Sequence, residues 1–244
     1  MIQIAEREEQ QKQMLAFCEK NAFGCKIASI ALAYGFDKKF SCFWIEDKTE
    51  NVYCLVDDTM IISGIPDNAE ETKSFLHMLG AKKIMLSQAA ANKLDLSRNI
   101  LSGDVMQKTI SGNRQEFFCG EEINIRSLYY LLEEYGMASD FEAFYLDLSH
   151  RLRHQSALVV TEYQEDELIG AAVISSVTDK AALLSAVVVK EEYRRNKLAT
   201  RLIQKAEKAL AGRTVYLYKE KDKHEEFYHV LGYQKADEWV TAEL

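Results

Sequence analysis

Ala181-Ala-Leu-Leu-Ser-Ala-Val-Val-Val189 is an apolar run rich in β-branched residues and too short for an ordinary globular helix, so it reads as a buried strand. A basic turn follows, Tyr193-Arg-Arg-Asn-Lys-Leu-Ala199. Beyond it Leu198, Leu202, Ile203, Ala206 and Leu210 recur at three- and four-residue steps and so share one helix face. Gly212 suits the positive φ that closes such a helix. A second strand, Thr214-Val-Tyr-Leu-Tyr218, leads to a short helix ending Phe227-Tyr-His-Val-Leu-Gly-Tyr233. Strand, basic turn, helix, strand is a crossover unit whose turn offers backbone amides at the positive end of a helix dipole, a natural anion site. Charge agrees: of the 16 Lys and Arg residues after position 120, 11 lie between Lys190 and Lys223, against five acids. A solvated basic helix face would carry the same charges.

Two motifs in this stretch resemble the GCN5-related N-acetyltransferases. The family's phosphate loop, Gln/Arg-x-x-Gly-x-Gly/Ala after a strand, is matched by Arg194-Arg195-Asn196-Lys197-Leu198-Ala199. Its Tyr-x-x-x-Gly-Phe/Tyr element is matched by Tyr228-His-Val-Leu-Gly232-Tyr233. The resemblance covers roughly Leu128 to Leu244. Two departures stand out. Lys197 occupies a position where the family usually has glycine for close approach to a pyrophosphate; it fits if its side chain turns outward, and otherwise cofactor binding is weakened or altered. Lys221 and His224 stand where asparagine and alanine are often found.

The resemblance implies a GNAT-like α/β (α+β) fold, with a mixed, mostly antiparallel sheet flanked by helices. It also implies acyl transfer from acetyl-CoA (coenzyme A) to a primary amine by direct attack in a ternary complex, with no metal. The backbone of Val187, Val188 and Val189 would pair with the pantetheine as an added strand. The amides of Arg195, Asn196, Lys197, Leu198, Ala199 and Thr200 would hold the pyrophosphate, with Arg194 or Lys197 assisting by charge. A strand N–H would polarise the thioester carbonyl. Tyr228 is the expected catalytic residue, since a phenol can share its proton with a departing thiolate at modest cost; a core tyrosine with a satisfied hydroxyl is the plainer reading. Glu162, Glu167 and Ser185 sit near strand ends as candidates for deprotonating the amine, and sequence does not choose among them. The alternative function is a non-catalytic acyl-CoA-binding or sensing protein; a partner-binding protein keeping only the fold is a third reading.

Composition bounds the rest. The chain has 244 residues and a net charge of −8, which disfavours a general nucleic-acid binder. No apolar run approaches the ~20 residues of a membrane span, and Met1-Ile-Gln-Ile-Ala-Glu-Arg-Glu-Glu is unlike a secretory signal. A cytoplasmic protein is expected. All five cysteines (Cys18, Cys25, Cys42, Cys54, Cys119) lie in the first half without zinc spacing, so buried free thiols are expected. His150 and His154 lie four apart on a helix with no third ligand in view. No Gly-x-x-x-x-Gly-Lys-Ser/Thr stretch exists, which excludes a P-loop nucleotidase. The expected partner is a small-molecule or peptide amine; acceptor identity and oligomeric state, a homodimer included, stay open.

The first half repeats the same order of elements. Residues 2 to 21 read as a helix carrying Leu15 and Phe17 inward, and Cys25 to Tyr34 as a second. Three strands follow at Phe40–Glu46, Val52–Val56 and Thr59–Ser63, then a helix capped by Asp67 or Asn68, a strand at Lys83–Ser87 and a helix at Gln88–Leu94. This suggests two GNAT-like domains in tandem: 1–120, degenerate GNAT-like or an unrelated α+β domain, and 121–244, the acetyltransferase domain. Pro66 and Asp67 replace the basic turn in the first, so no cofactor is expected there. Strand pieces are expected at Val105–Ile110 and Glu116–Cys119, and closing strands from Gln234 to Leu244.

Overall fold

A computed structural model describes residues 1–113 and 123–244. In chain order its elements are β1 (Ile2–Ile4), α1 (Glu8–Phe17), α2 (Ala22–Tyr34), β2 (Ser41–Glu46), β3 (Asn51–Val56), β4 (Thr59–Ser63), α3 (Ala69–Leu79), β5 (Lys83–Ser87), α4 (Gln88–Leu94) and β6 (Leu101–Thr109). There follow α5 (Ile125–Glu134), α6 (Phe141–Arg153), β7 (Leu158–Gln164), β8 (Glu167–Val177), β9 (Ala181–Val189), α7 (Leu198–Ala209), β10 (Thr214–Glu220), α8 (Glu225–Val230) and β11 (Gln234–Glu243). The chain divides into two compact units: Met1–Gln107 with Tyr218–Leu244, and Lys108–Leu217.

In the first unit the strands run in the order β1-β2-β3-β4-β5-β11-β6. All neighbours are antiparallel except β4 and β5, whose parallel ladder runs from Thr59↔Lys83 to Ile61↔Met85. Period-two alternation turns Met60 and Ile62 of β4, and Ile84 and Leu86 of β5, into one core with Leu76 of α3 and Leu94 of α4. Asn21 caps α2, accepting a hydrogen bond from the Gly24 amide at 2.9 Å. A Cβ on Gly24 would lie 2.2 Å from the Cys18 carbonyl oxygen, so only glycine lets the chain turn so closely into α2.

The second unit orders its strands β10-β9-β8-β7. β7–β8 and β8–β9 are antiparallel, and β9–β10 is parallel. Leu128, Leu131 and Leu132 of α5 and Leu148 of α6 pack with Ala171, Val173 and Val188 on one face of the sheet. The predicted apolar stripe of α7 is buried, with Leu198, Leu202, Ile203 and Ala206 all inside. Gly170, one residue before Ala171, presents its side to Leu202, where a Cβ would lie 3.1 Å from the leucine Cδ1. α7 therefore lies on the face opposite α5 and α6.

Most predicted elements lie where sequence placed them, and the N-terminus differs. Residues 2 to 21 are not one helix. Ile2–Ile4 is a strand paired with Trp44–Glu46, and a 3-10 turn at Cys18–Lys20 separates α1 from α2. Met14 and Cys18 are buried there, with Leu15 and Phe17 only half-buried. Asn68, not Asp67, caps α3. Gln234–Leu244 supplies one long strand, β11, which fits between β5 and β6 and buries Val240 and Ala242 in the first unit. The boundary placed at 120/121, the Glu116–Cys119 strand and Cys119 lie outside the described residues. The four described cysteines are free thiols.

Candidate active site

The parallel ladder between β9 and β10 begins at Ala181↔Thr214 and ends at Leu184↔Leu217, leaving Ser185 to Val189 beyond it. On its other side β9 stays paired with β8 through Val189↔Gly170. The Lys190 N–H donates to Ile169 O at 3.0 Å, so Lys190 faces β8. Backbone groups alternate sides along a strand. Val188 therefore also directs its N–H and C=O at β8, while Val187 and Val189 direct theirs away from it. The ladder is irregular where β9 leaves β10: Ser175 and Ser185 both fall out of register, and their hydroxyls hydrogen-bond to each other.

From Val189 the chain enters the basic turn. A 3-10 turn at Glu191–Tyr193 is held by the Glu191 N–H, which donates to the Tyr135 hydroxyl at 3.1 Å. Arg194 donates from Nε to Val189 O at 3.1 Å and lays its guanidinium over the Tyr135 ring, 5.1 Å from the centroid. Arg194 thus fastens the loop to the end of β9. Tyr135, the C-cap of α5, is the part of this clamp that sequence reasoning missed, because nothing local distinguishes it from a core tyrosine.

Arg195 (φ +67°) and Lys197 (φ +55°) are both in the left-handed region. Lys197 is the N-cap of α7 and makes no capping hydrogen bond, and the first turn has no acid. The amides of Leu198, Ala199 and Thr200 open that turn, where the helix itself offers no acceptor. By contrast α2, α3, α4, α5 and α6 all begin with a side-chain cap from Asn or Asp or Ser. Arg195, Asn196 and Lys197 are exposed, and Arg201 donates to the Asn196 carbonyl at 2.8 Å. An uncapped, cation-rimmed helix N-terminus is a site for a phosphate-bearing anion.

The predicted site residues Val187–Val189 and Arg194–Thr200 are brought together in the second unit. Tyr228, on α8, belongs to the first unit, half-buried against Phe227 and Tyr233, with ring centroids 5.1 and 5.9 Å away. Burial raises its pKa and keeps the phenol protonated. Of the candidate bases, Glu162 lies 3.9 Å from Arg201, Glu167 pairs with Lys190, and Ser185 bonds Ser175. The His150 and His154 rings lie 4.3 Å apart, and no cluster of three metal-ligating side chains occurs among the described residues. Nor is any described helix long and apolar enough to cross a membrane.

The acetyltransferase (GNAT) family matches this chain over residues 123–233, which span the open strand, the uncapped turn and Tyr228. Over those residues the chain is similar to the GNAT family. No curated protein matches the chain. Among solved structures, it is similar to a tandem GNAT protein from the clavulanic acid biosynthesis pathway, at 14% identity and a TM-score of 0.59, covering 100% of this chain and 98% of that one. A GCN5-related N-acetyltransferase from Sphaerobacter thermophilus gives 14% and 0.62, covering 100% and 95%. A GNAT-family acetyltransferase from Colwellia psychrerythraea gives 12% and 0.57, covering 100% and 99%. At such identities the likeness is one of fold, and it extends over both units: the GNAT architecture occurs here in tandem.

Proposed function

We propose that the chain is an acetyl-CoA-dependent N-acetyltransferase that acts on a primary amine, with its cofactor held by the second unit. One observation carries this: β9 leaves β10 at Leu184 and then runs directly into the uncapped basic turn of α7. The opened strand is suited to pair with a chain of amides, and the turn to hold a diphosphate. Bound acetyl-CoA supplies an acyl group activated as a thioester.

The chain's own residues do the rest. Val187 and Val189 present outward backbone groups to the pantetheine arm, Val189 chiefly through its N–H because its carbonyl is taken by Arg194. The amides from Arg195 to Thr200 hold the pyrophosphate, with Arg195 and Lys197 adding charge. A β9 N–H beside the irregular Ser185 position polarises the carbonyl as the amine nitrogen attacks its carbon. The match of Tyr228-His-Val-Leu-Gly232-Tyr233 to the family's motif assigns Tyr228 the proton that sulfur takes as the C–S bond breaks, and the amine loses a proton to a base or to water. The first unit, on this reading, is a degenerate GNAT-like unit with no cofactor, and the functional domain begins near residue 121.

Lys197 at positive φ favours a second reading, a protein that binds acyl-CoA without turning it over. Calorimetry with acetyl-CoA, followed by an amine screen with wild type and Tyr228→Phe, separates them. Acetyl-CoA binding that survives Tyr228→Phe, with turnover lost at least tenfold, is the expected result. Binding without turnover on any amine favours the second reading. No binding by wild type removes both.

A further inference from the structure

The basic turn and the start of α7 carry four cations, Arg194, Arg195, Lys197 and Arg201, and two of them are occupied internally. Arg194 Nε donates to the Val189 carbonyl at 3.1 Å, and Arg201 donates to the Asn196 carbonyl at 2.8 Å. Arg201 also lies 3.9 Å from Glu162. Each arginine thus draws a carbonyl oxygen of the turn to itself, and amides receive an anion only where neighbouring carbonyls point elsewhere. Arg195 and Lys197 have no hydrogen-bond or ion-pair partner among the described residues.

Those same two residues sit in the left-handed region, at φ +67° and +55°. Non-glycine residues held there are strained, and they persist only where surrounding contacts over-determine them. The contacts converge on Tyr135. Its hydroxyl accepts the Glu191 N–H at 3.1 Å, and its ring carries the Arg194 guanidinium 5.1 Å from the centroid. One side chain at the C-terminus of α5 therefore grips the entry to the turn at both Glu191 and Arg194.

We propose that Tyr135 is a positioning residue for the anion turn, and that Arg194 acts through it as a brace and not as a phosphate ligand. The charge that meets the diphosphate then comes from Arg195 and Lys197. The proposal rests on the cofactor reading above and adds to it a residue outside the turn and a division of labour within it.

The test is calorimetry with acetyl-CoA on wild type, Tyr135→Phe, Tyr135→Leu, Arg194→Gln and the double variant Tyr135→Leu/Arg194→Gln. Tyr135→Leu should weaken binding about tenfold, the size expected from losing one cation–π contact and one hydrogen bond that hold the receptive shape. Tyr135→Phe keeps the ring and should recover most of that loss. Arg194→Gln should also cost about tenfold, and the double variant about the same again as either single change, because each breaks one clamp. A double variant weakened about a hundredfold overturns the proposal, since Arg194 would then reach the phosphates independently of Tyr135. Wild-type affinity in Tyr135→Leu overturns it too, because a tyrosine that only stabilises the fold leaves the affinity of folded protein unchanged. Hydrogen exchange of the Glu191 amide, followed by NMR without ligand, tests the clamp apart from the cofactor. It should quicken in Tyr135→Phe, and an unchanged rate overturns the clamp. No acetyl-CoA binding by wild type removes the cofactor reading and, with it, the role proposed for Tyr135.

Discussion

Each unit contains one parallel crossover, and the two differ in what occupies the turn between strand and helix. In the first, only Ile62 and Ser63 extend beyond the β4–β5 ladder, and the Ser63 hydroxyl donates to the Asn21 side chain at 3.1 Å. Glu46, a residue only 2% exposed, places its carboxylate against the turn through the Asp67 amide. It accepts hydrogen bonds from Asn51 at 2.7 Å, Thr49 at 2.8 Å and Tyr53 at 3.2 Å, with the Asp67 amide at 3.5 Å. Asn68 caps α3, whose first turn carries Glu70 and Glu71. A Cβ on Gly64 would lie 1.9 Å from Asn51 Oδ1, so the turn is packed solid. In the second unit five residues extend past the ladder, from Ser185 to Val189, and α7 begins uncapped amid cations. One scaffold is thus closed by an internal anion, and the other keeps an uncapped, cation-rimmed turn.

The largest effect is expected from emptying the closed turn. Glu46→Ala leaves several buried donors without an acceptor and should cost about 3 kcal/mol. Both tryptophans of the chain, Trp44 and Trp239, belong to the first unit, so the urea midpoint read by tryptophan fluorescence follows that unit. An unchanged midpoint would show that Glu46 does not hold the turn. The same carboxylate gives a pH signature. Burial opposes its ionisation, but the bonds from Asn51, Thr49, the Asp67 amide and Tyr53 outweigh it and lower its pKa. A lowered folded pKa contributes stability that is present above the ordinary glutamate range and lost as pH falls through the folded value. Acidification from about pH 6 to about pH 3 should therefore lower the wild-type midpoint more than that of Glu46→Gln.

What sequence showed of this contrast, and what it did not, has a physical cause. The α7 stripe and the basic turn are local patterns, visible in Leu198, Leu202, Ile203 and in Arg194 to Lys197. Pro66 and Asp67 likewise marked the first turn as unlike the second. Glu46, by contrast, reaches its turn from β2, some twenty residues earlier, and a lone glutamate at a strand end looks solvated until the strands are paired. Tyr135 over Arg194 is the same kind of long-range pairing. β1 was missed because three residues carry too little alternation to outweigh the helical pattern beside them, and only pairing with β2 makes them a strand. The destination of β11 depends on which sheet edge is available, which no local periodicity encodes.

A second substitution sharpens the contrast from the open side. Thr200 is the third residue of α7, where an acid interacts favourably with the helix dipole and costs a bound phosphate its place. Thr200→Asp should raise stability by about 0.3–1 kcal/mol while weakening acetyl-CoA binding at least tenfold. Thermal unfolding with and without acetyl-CoA reads both. A ligand at a hundred times its Kd stabilises by about 2.7 kcal/mol in wild type, and this shift should shrink in the variant. An equal ligand shift in both proteins would place the diphosphate away from α7.

The smallest effect tests whether Lys197 is itself a defect. A lysine at φ +55° carries backbone strain that glycine relieves, but glycine also gains freedom in the unfolded chain. These terms oppose, so Lys197→Gly should move stability by less than about 1 kcal/mol. Removing the exposed ammonium withdraws one charge from the diphosphate, while the backbone path and its amides are kept. Acetyl-CoA affinity should then fall only slightly and become less sensitive to salt. A large gain in affinity would mean that the lysine side chain obstructs the turn, and that the second crossover is itself partly closed.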